Sequence, residues 1–302
     1  MSAAPVINYS VEDLTKLLDQ KWQGQVELYD IDASTVLMSS PNKAVIGVSN
    51  SSDPTRLLNL AIDKGLSQIC QFSNLQIERE MNTSASMLIS PKEFIKYPVS
   101  TILNPLHASQ KEEKKLITWN IQFSKASEKS QTLHQLDEFL RQHIKAETLI
   151  SDIKVIADEL FTNAIYNAPY INTREGSQVL IDRTDLSAQM HPGDFGHIFA
   201  AVKDNNLVIG CKDPYGSLLL TKLLKRILKC YRNGVASMMK MGTGGAGIGS
   251  YMVYNSSASY YVGVQKNQAT VVCCSLPINM SSRRRESIAK NMHFFEIDGG
   301  QK

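Results

Sequence analysis

Residues 151–170, SDIKVIADELFTNAIYNAPY, decide how the rest of the chain is read. Ile153, Ile156, Ala157, Leu160, Phe161, Ala164, Ile165 and Ala168 recur at the i, i+3, i+4, i+7 spacing that gathers apolar side chains on one helical face. The spacing predicts an amphipathic core helix. Ser151 is the expected N-cap, and Pro169 the terminator, because proline lacks an N–H and pushes its predecessor out of helical dihedrals. A core helix has no need of Glu159 and Asn163, a carboxylate and a carboxamide one turn apart at the edge of the stripe. Such a pair can hold a metal-bound phosphate and a water.

The chain has 302 residues, of which 43% are hydrophobic, and no apolar run long enough to cross a bilayer. A soluble protein of two domains is expected, with no membrane partner. The opening MSAAPVINYSVEDL lacks a basic start and apolar segment, and Cys70, Cys211, Cys230, Cys273 and Cys274 form no CxxC pair, so a reducing cytoplasm is expected. A net charge of +3 is too small to argue for nucleic acid, yet its distribution is uneven. Between Pro214 and Arg285 there is no acidic residue, while Lys222, Lys225, Arg226, Lys229, Arg232, Lys240, Lys266, Arg283, Arg284 and Arg285 fall there. That stretch would attract a polyanion: a nucleotide triphosphate, a nucleic acid or an acidic partner.

Upstream, Ser10 and Asp13 mark a short helix, and residues 25–32 and 43–49 read as strands. DPTRLLNLAIDKG (53–65) reads as a helix with proline in its first turn and a closing glycine, followed by a strand in SQICQF. This β-α-β alternation faintly resembles the later half of a response-regulator receiver domain, the alternative being an unrelated α/β or α+β module. Asp30 and Asp32 read as strand-end solvation rather than a phosphorylation pocket, and the Lys-Pro of a working receiver has no counterpart. The polar, proline-punctuated segment 104–115 is the expected boundary between a small α/β regulatory domain (1–110) and a second domain (113–302). Beyond it, LITWNIQF alternates as a strand, and SEKSQTLHQLDEFLRQHI carries one apolar helical face. Strands are expected over 177–184, in HIFAAVK and in NLVIGCKD, the last two joined by a turn at Asp204, Asn205 and Asn206. SLLLTKLLKRILKCYRNG reads as a basic amphipathic helix closed by Gly234, and SYYVGVQ and ATVVCCSLP as final strands with Asn267 in their turn. The tail is read only as far as its MHFFEI apolar cluster.

Two further stretches can carry chemistry. In GTGGAGIGSYMVYN, Gly242, Gly244 and Gly247 satisfy GxGxxG by spacing, but no buried strand precedes them and no ribose-binding acid follows. A P-loop is excluded because Ile248 follows Gly247 and Ser250 follows Gly249 where a lysine is required. What remains is a helix start at which Gly245, Gly247 and Gly249 can bring bare N–H groups to phosphate, or else a flexible surface loop. In VIGCKDPYGSL, Asp213 ends an apolar strand and is followed by Gly216. It is suited to accept from an exocyclic amine such as that of adenine, or it begins a plain Asp-Pro turn.

Taken in order, ELFTNA, DPYG and GGAGIGSYMV resemble the N, G1 and G2 boxes of the ATPase superfamily of gyrase, the heat-shock chaperone, histidine kinases and mismatch-repair proteins. ATVVCCSLP is similar to its closing strand. The resemblance covers the chain after Lys115 and implies an α/β (α+β) two-layer sandwich of the Bergerat ATP-binding type. It implies ATP and Mg²⁺ as cofactors, with Glu159 polarising the attacking water or hydroxyl and Asn163 ligating the metal. Asp213 and Gly216 would belong to the adenine end, Gly245, Gly247 and Gly249 would cradle phosphate, and Thr270 would lie near the base. The G1 box departs from D-x-G-x-G, since Tyr215 replaces one glycine and the other is displaced; Tyr215 would either stack on the base or fill its pocket.

Within the superfamily, a strand and one helix before the N box are similar to bacterial anti-sigma-factor serine kinases. His134 and His143 lack the phosphoacceptor box of a sensor kinase and read as solvated helix histidines, and Asp194-Phe195-Gly196 has none of the context of a kinase DFG. The resemblance implies a signalling switch that binds ATP or ADP and a regulatory protein partner, with a serine or threonine kinase activity left open and the basic stretch 222–232 as a lid. The alternative is a catalytically silent adaptor on the same fold. Direct nucleic-acid binding has least support, lacking a recognisable motif. A homodimer is left open.

Overall fold

The structure is a computed structural model that describes residues 10–33, 44–72, 76–106, 116–170, 182–235 and 248–300. The expected first helix, α1 (Val11–Leu17), starts at a capping box in which the Ser10 hydroxyl accepts from the Asp13 amide and Asp13 reaches back. Strands β1 (Val26–Asp30), β2 (Ala44–Ser49) and β3 (Gln68–Gln71) pair in parallel, with α2 (Pro54–Asp63), capped by Asp53, crossing from β2 to β3. Three helices follow that periodicity did not bring out: α3 (Ile77–Ile89), α4 (Pro91–Lys96) and α5 (Pro98–Leu103). Proline at the first position of α4 and α5 supplies a helical φ where an N–H is not needed.

The second half runs β4 (Ile117–Phe123), α6 (Lys129–His143), α7 (Glu147–Thr162), β5 (Gly196–Lys203), β6 (Asn206–Asp213), α8 (Leu220–Asn233), α9 (Ile248–Ser256), β7 (Ser259–Gln265), β8 (Ala269–Pro277), α10 (Ser282–Ser287) and β9 (Asn291–Ile297). Asp204 and Asn205 adopt positive φ in the β5–β6 hairpin, and Asn267 does so between β7 and β8, as turn chemistry anticipates. The strand expected over 177–184 falls mostly outside the described residues, and Arg183 and Thr184 lie in a turn.

All nine strands form one sheet in the order β1-β2-β3-β9-β7-β8-β6-β5-β4. The tail cluster MHFFEI is β9, which lies parallel to β7 and antiparallel to β3 and so carries the sheet across from residues 1–110 to residues 113–302. The expectation of two layers needs correction, because both faces of the sheet are covered. Leu207, Ile209 and Cys211 of β6 face one core with α2, α6, α7, α8 and α9, whereas Val208 faces a second core with Phe94, Ile95, Ile102 and Leu103 of α4 and α5. The physical reason is that β5 to β8 are apolar on both sides of their alternation, so neither face can be left to water.

A buried polar cluster ties α3 to this sheet. Glu80, fully buried, accepts from Arg79 (2.7 Å) and from the Tyr261 hydroxyl (2.8 Å), and His293 Nε2 lies 3.0 Å from it. Burial alone would push the Glu80 carboxyl up, but the Arg79 guanidinium and His293 outweigh it and hold the carboxyl below its ordinary value. A depressed carboxylate stabilises the fold above its unfolded value, near 4.5, and loses that contribution as pH falls. Glu80→Gln leaves the Arg79 guanidinium uncompensated and is expected to cost about 3–5 kcal/mol at neutral pH. Urea unfolding at pH 7 and along the acid limb checks this: wild-type stability should fall below pH 4.5, and the variant's should be flatter there.

Candidate functional site

The organising helix is longer and less regular than its periodicity suggests. α7 begins at Glu147, with Ala146 at the cap, so Ser151 is an exposed residue inside it. Leu149 and Ile150, both buried, extend the apolar stripe upstream of Ser151. The α-helical ladder ends at Thr162, followed by a π-turn over Asn163–Asn167 and a 3₁₀ turn, Ala168–Tyr170, that holds Pro169. A wider turn brings residues four apart nearly into line, and such insertions recur at functional sites. Here it stacks Asn167 on Asn163, with Asn167 Nδ2 donating to Asn163 Oδ1 at 2.6 Å. Asn163 Nδ2 in turn donates to Glu159 Oε1 at 2.8 Å.

Opposite lies the end of β6. Asp213 Oδ1 accepts from the Tyr215 amide at 2.9 Å, the hydrogen bond of an Asp-Pro turn. Gly216 is required by its surroundings: φ is +59°, and a Cβ there would fall 2.0 Å from the Gln265 carbonyl oxygen. The Ser217 hydroxyl donates to Ala168 O at 2.8 Å, pinning this loop to the end of the α7 region. Tyr215 neither stacks into the cleft nor fills it. Its hydroxyl accepts from the His191 amide at 3.1 Å, and its ring packs edge-on to His191.

Between these elements is a cavity of about 230 Å³. Asn163, Asn167, Asp213 and Thr270 supply its polar wall, Leu160, Tyr260 and Val272 much of its apolar wall, and Lys222 and Arg226 of α8 its cationic side. Asp213 and Thr270 are partners across the β6–β8 ladder, and both are buried. Burial pushes the Asp213 carboxyl up to about 6, although the Tyr215 amide opposes the shift. The Thr270 hydroxyl stands beside that carboxyl and also holds it down, but without a well-formed hydrogen bond. A buried carboxylate and a poorly bonded hydroxyl side by side in an apolar-walled cavity are what a ligand with donor and acceptor edges would satisfy.

The N-box side is different. Glu159 is pressed against the start of α9: a Cβ on Gly249 would lie 1.8 Å from Glu159 Cδ. Arg183, which no sequence pattern singled out, stands over the pair, with Nη1 3.5 Å from Glu159 Oε2 and Nη2 3.5 Å from Asn163 Oδ1. Burial raises the Glu159 carboxyl and the Arg183 charge opposes that shift. Mg²⁺ demands oxygen ligands near 2.0–2.1 Å in octahedral array. The one oxygen proposed for it, Asn163 Oδ1, already accepts from Asn167 and faces a guanidinium, so the residues present do not fit a metal there. Gly245 and Gly247 lie outside the described residues. Asn167 was legible as the residue four after Asn163, and Lys222 and Arg226 as part of the basic stretch; Arg183 gave no signal.

Two outcomes follow from this geometry. A carboxyl raised from 3.8 to about 6 is protonated in the folded chain and ionised in the unfolded one between those values, so stability declines as pH rises through that window and stays lower above it. Asp213→Asn removes the penalty and should raise the melting temperature of the ligand-free protein at pH 7, by at most roughly 3 kcal/mol of stability; a lowered melting temperature contradicts the assignment. Gly249→Ala should displace Glu159 from Asn163 and cost about 1–3 kcal/mol in denaturant unfolding, whereas an unchanged midpoint would mean that the contact is not tight.

No family model and no curated protein matches this chain.

Proposed function

We propose that this chain is an ATP-binding regulatory protein of the histidine kinase-like ATPase type, built on a Bergerat-type site and acting as a signalling switch on a protein partner. One observation carries the reading: Asp213 is buried at a strand end, raised toward neutrality, and set beside a Thr270 hydroxyl that lacks a well-formed hydrogen bond, at a cavity with apolar walls. In that site the Asp213 carboxylate accepts from the adenine amino group and Thr270 completes the base's polar edge. Leu160, Tyr260 and Val272 exclude water from the ring. Lys222 and Arg226, one turn apart and without an ion-pair partner among the described residues, meet the phosphates. They lie on a helix packed against α2, so the basic stretch is a fixed wall rather than a free lid.

The second reading, a catalytically silent adaptor, is favoured by Glu159. Its carboxylate oxygens are engaged by Asn163 and Arg183, and its carboxyl carbon abuts Gly249, so serving as a base toward a serine or threonine hydroxyl requires it to leave these contacts.

Isothermal titration of the full chain with ATP tests the binding claim. Wild type should bind, and Asp213→Asn should bind about 10–100-fold more weakly, the loss of one hydrogen bond to a charged group. No binding by wild type, or equal binding by the variant, ends the nucleotide reading. Phosphate release abolished by Glu159→Gln would favour the kinase over the adaptor.

A further inference from the structure

We infer that the solvent face of α8 docks an acidic segment of a partner protein, and that its first cation, Lys222, is shared with the cavity, so that the partner and an anionic ligand exclude each other. The inference rests on the nucleotide reading only for the identity of that ligand; the docking surface stands on its own observations.

Lys222, Lys225, Lys229 and Arg232 are exposed and fall at i, i+3, i+7 and i+10 of α8, opposite the buried Leu223, Leu224, Ile227 and Leu228. At the helical rise they form one stripe about 15 Å long, with the half-buried Arg226 on its flank. Lys222, Lys225 and Arg226 make no ion pair among the described residues, and Arg232 donates to the neutral Asn59 Oδ1 at 2.9 Å. Two helices pack closely on α8: α9 carries no charged residue, and α2 has one acid, Asp63, which makes no ion pair among the described residues. The sequence from Pro214 to Arg285, which includes the connection from α8 to α9, adds no acid. Like charges one turn apart repel, and an acidic partner relieves that repulsion.

The stripe suits a protein segment better than a nucleic acid. Single-stranded bases need exposed rings to stack on. The aromatic residue of α8, Tyr231, is half-buried and edge-on to Tyr251 and Tyr254, with its hydroxyl donating to Asn255 Oδ1 at 2.9 Å. A helix with Glu or Asp one turn apart repeats the pitch of the stripe, so each carboxylate meets a cation. Leu219, which lines the cavity yet is 46% exposed, precedes the first lysine and offers an apolar contact at that end. Lys222 and Arg226 line the cavity too. A carboxylate held by Lys222 therefore occupies the cation that an anionic ligand of the cavity requires, and each event weakens the other by the same factor.

The test titrates three labelled probes into the full chain at constant ionic strength: a helical peptide with glutamates at the spacing of the stripe and a leucine at one end, its glutamine counterpart, and a single-stranded RNA of equal net charge. The acidic peptide should bind about tenfold or more tightly than either control. Lys225→Glu with Lys229→Glu, both outside the cavity, should weaken it about tenfold or more while changing ATP binding by less than about twofold. Saturating ATP should weaken the peptide about threefold or more, and saturating peptide should weaken ATP by the same factor. Equal binding of the glutamine peptide, or peptide binding indifferent to the double variant, overturns the docking surface. Tighter binding of the RNA through the same lysines overturns it in favour of a nucleic acid. Peptide and ATP bound together without mutual weakening overturns the exclusion. Peptide binding that needs Lys225 and Lys229, with no binding of ATP, upholds the docking surface, ends the nucleotide reading and removes the exclusion with it. Should the double variant fail to fold by circular dichroism, Lys225→Gln with Lys229→Gln decides in its place.

Discussion

The backbone ladder of β9 is the interaction on which the rest depends. β9 pairs with β7 from Ser259↔Asn291 to Gln265↔Ile297 and, on its other side, places Gln68 and Ile69 of β3 opposite His293 and Met292. Polar side chains lock both seams: Asn291 accepts from the Gln71 amide and donates to the Ser259 hydroxyl, and Gln68 Nε2 donates to Phe294 O. A one-residue slip would turn every side chain of β9 to the other face, and these bonds exist in one register only. The register is passed on. β7 ends at Gln265, whose carbonyl sits against Gly216, and Gly216 shapes the loop that begins at Asp213. The position of the buried carboxylate is thus set, through two hairpin-paired strands, by a strand near the end of the chain.

That dependence explains where the sequence is legible and where it is not. The apolar face of α7, the β5–β6 hairpin and the glycine that must follow Asp213 are all written in spacings of a few residues, so local pattern finds them. β9 is a long-range partner of β7 and β3, and a short apolar cluster in a polar tail carries no record of what it will pair with. The second layer of helices is missed for a related reason. Helix α3 buries Glu80, Asn82, Thr83, Ser84 and Ser86; Glu80 and Ser84 find partners on distant strands, Asn82 at the end of α1 and Thr83 on α5, and a polar buried face has no hydrophobic period to read. Arg183 stands in a turn within a stretch that reads as a strand, and only the fold brings it to Glu159. The early start of α7 is a smaller miss: Ser151 is a good cap by type, but Leu149 and Ile150 had already begun the stripe.

The two ends of the cavity are built on opposite principles, and the contrast separates what is held for a ligand from what is held by the protein. Asp213 is buried with its charge poorly compensated, and the Thr270 hydroxyl beside it lacks a well-formed hydrogen bond. Both conditions cost stability, and natural chains keep such costs where binding would relieve them. Glu159 and Asn163 are the reverse, with a carboxylate matched by an arginine, a carboxamide matched at both ends, and a glycine admitting close backbone contact. A group already satisfied gains little from a ligand that must replace those contacts. The functional weight of the site therefore shifts from the Glu159–Asn163 pair, where the helical pattern first drew attention, to the strand-end carboxylate and the cations that face it. On that balance the proposed nucleotide reading puts recognition ahead of chemistry: binding would draw on Asp213, whereas any reaction at Glu159 must first undo a network that the folded state has already completed.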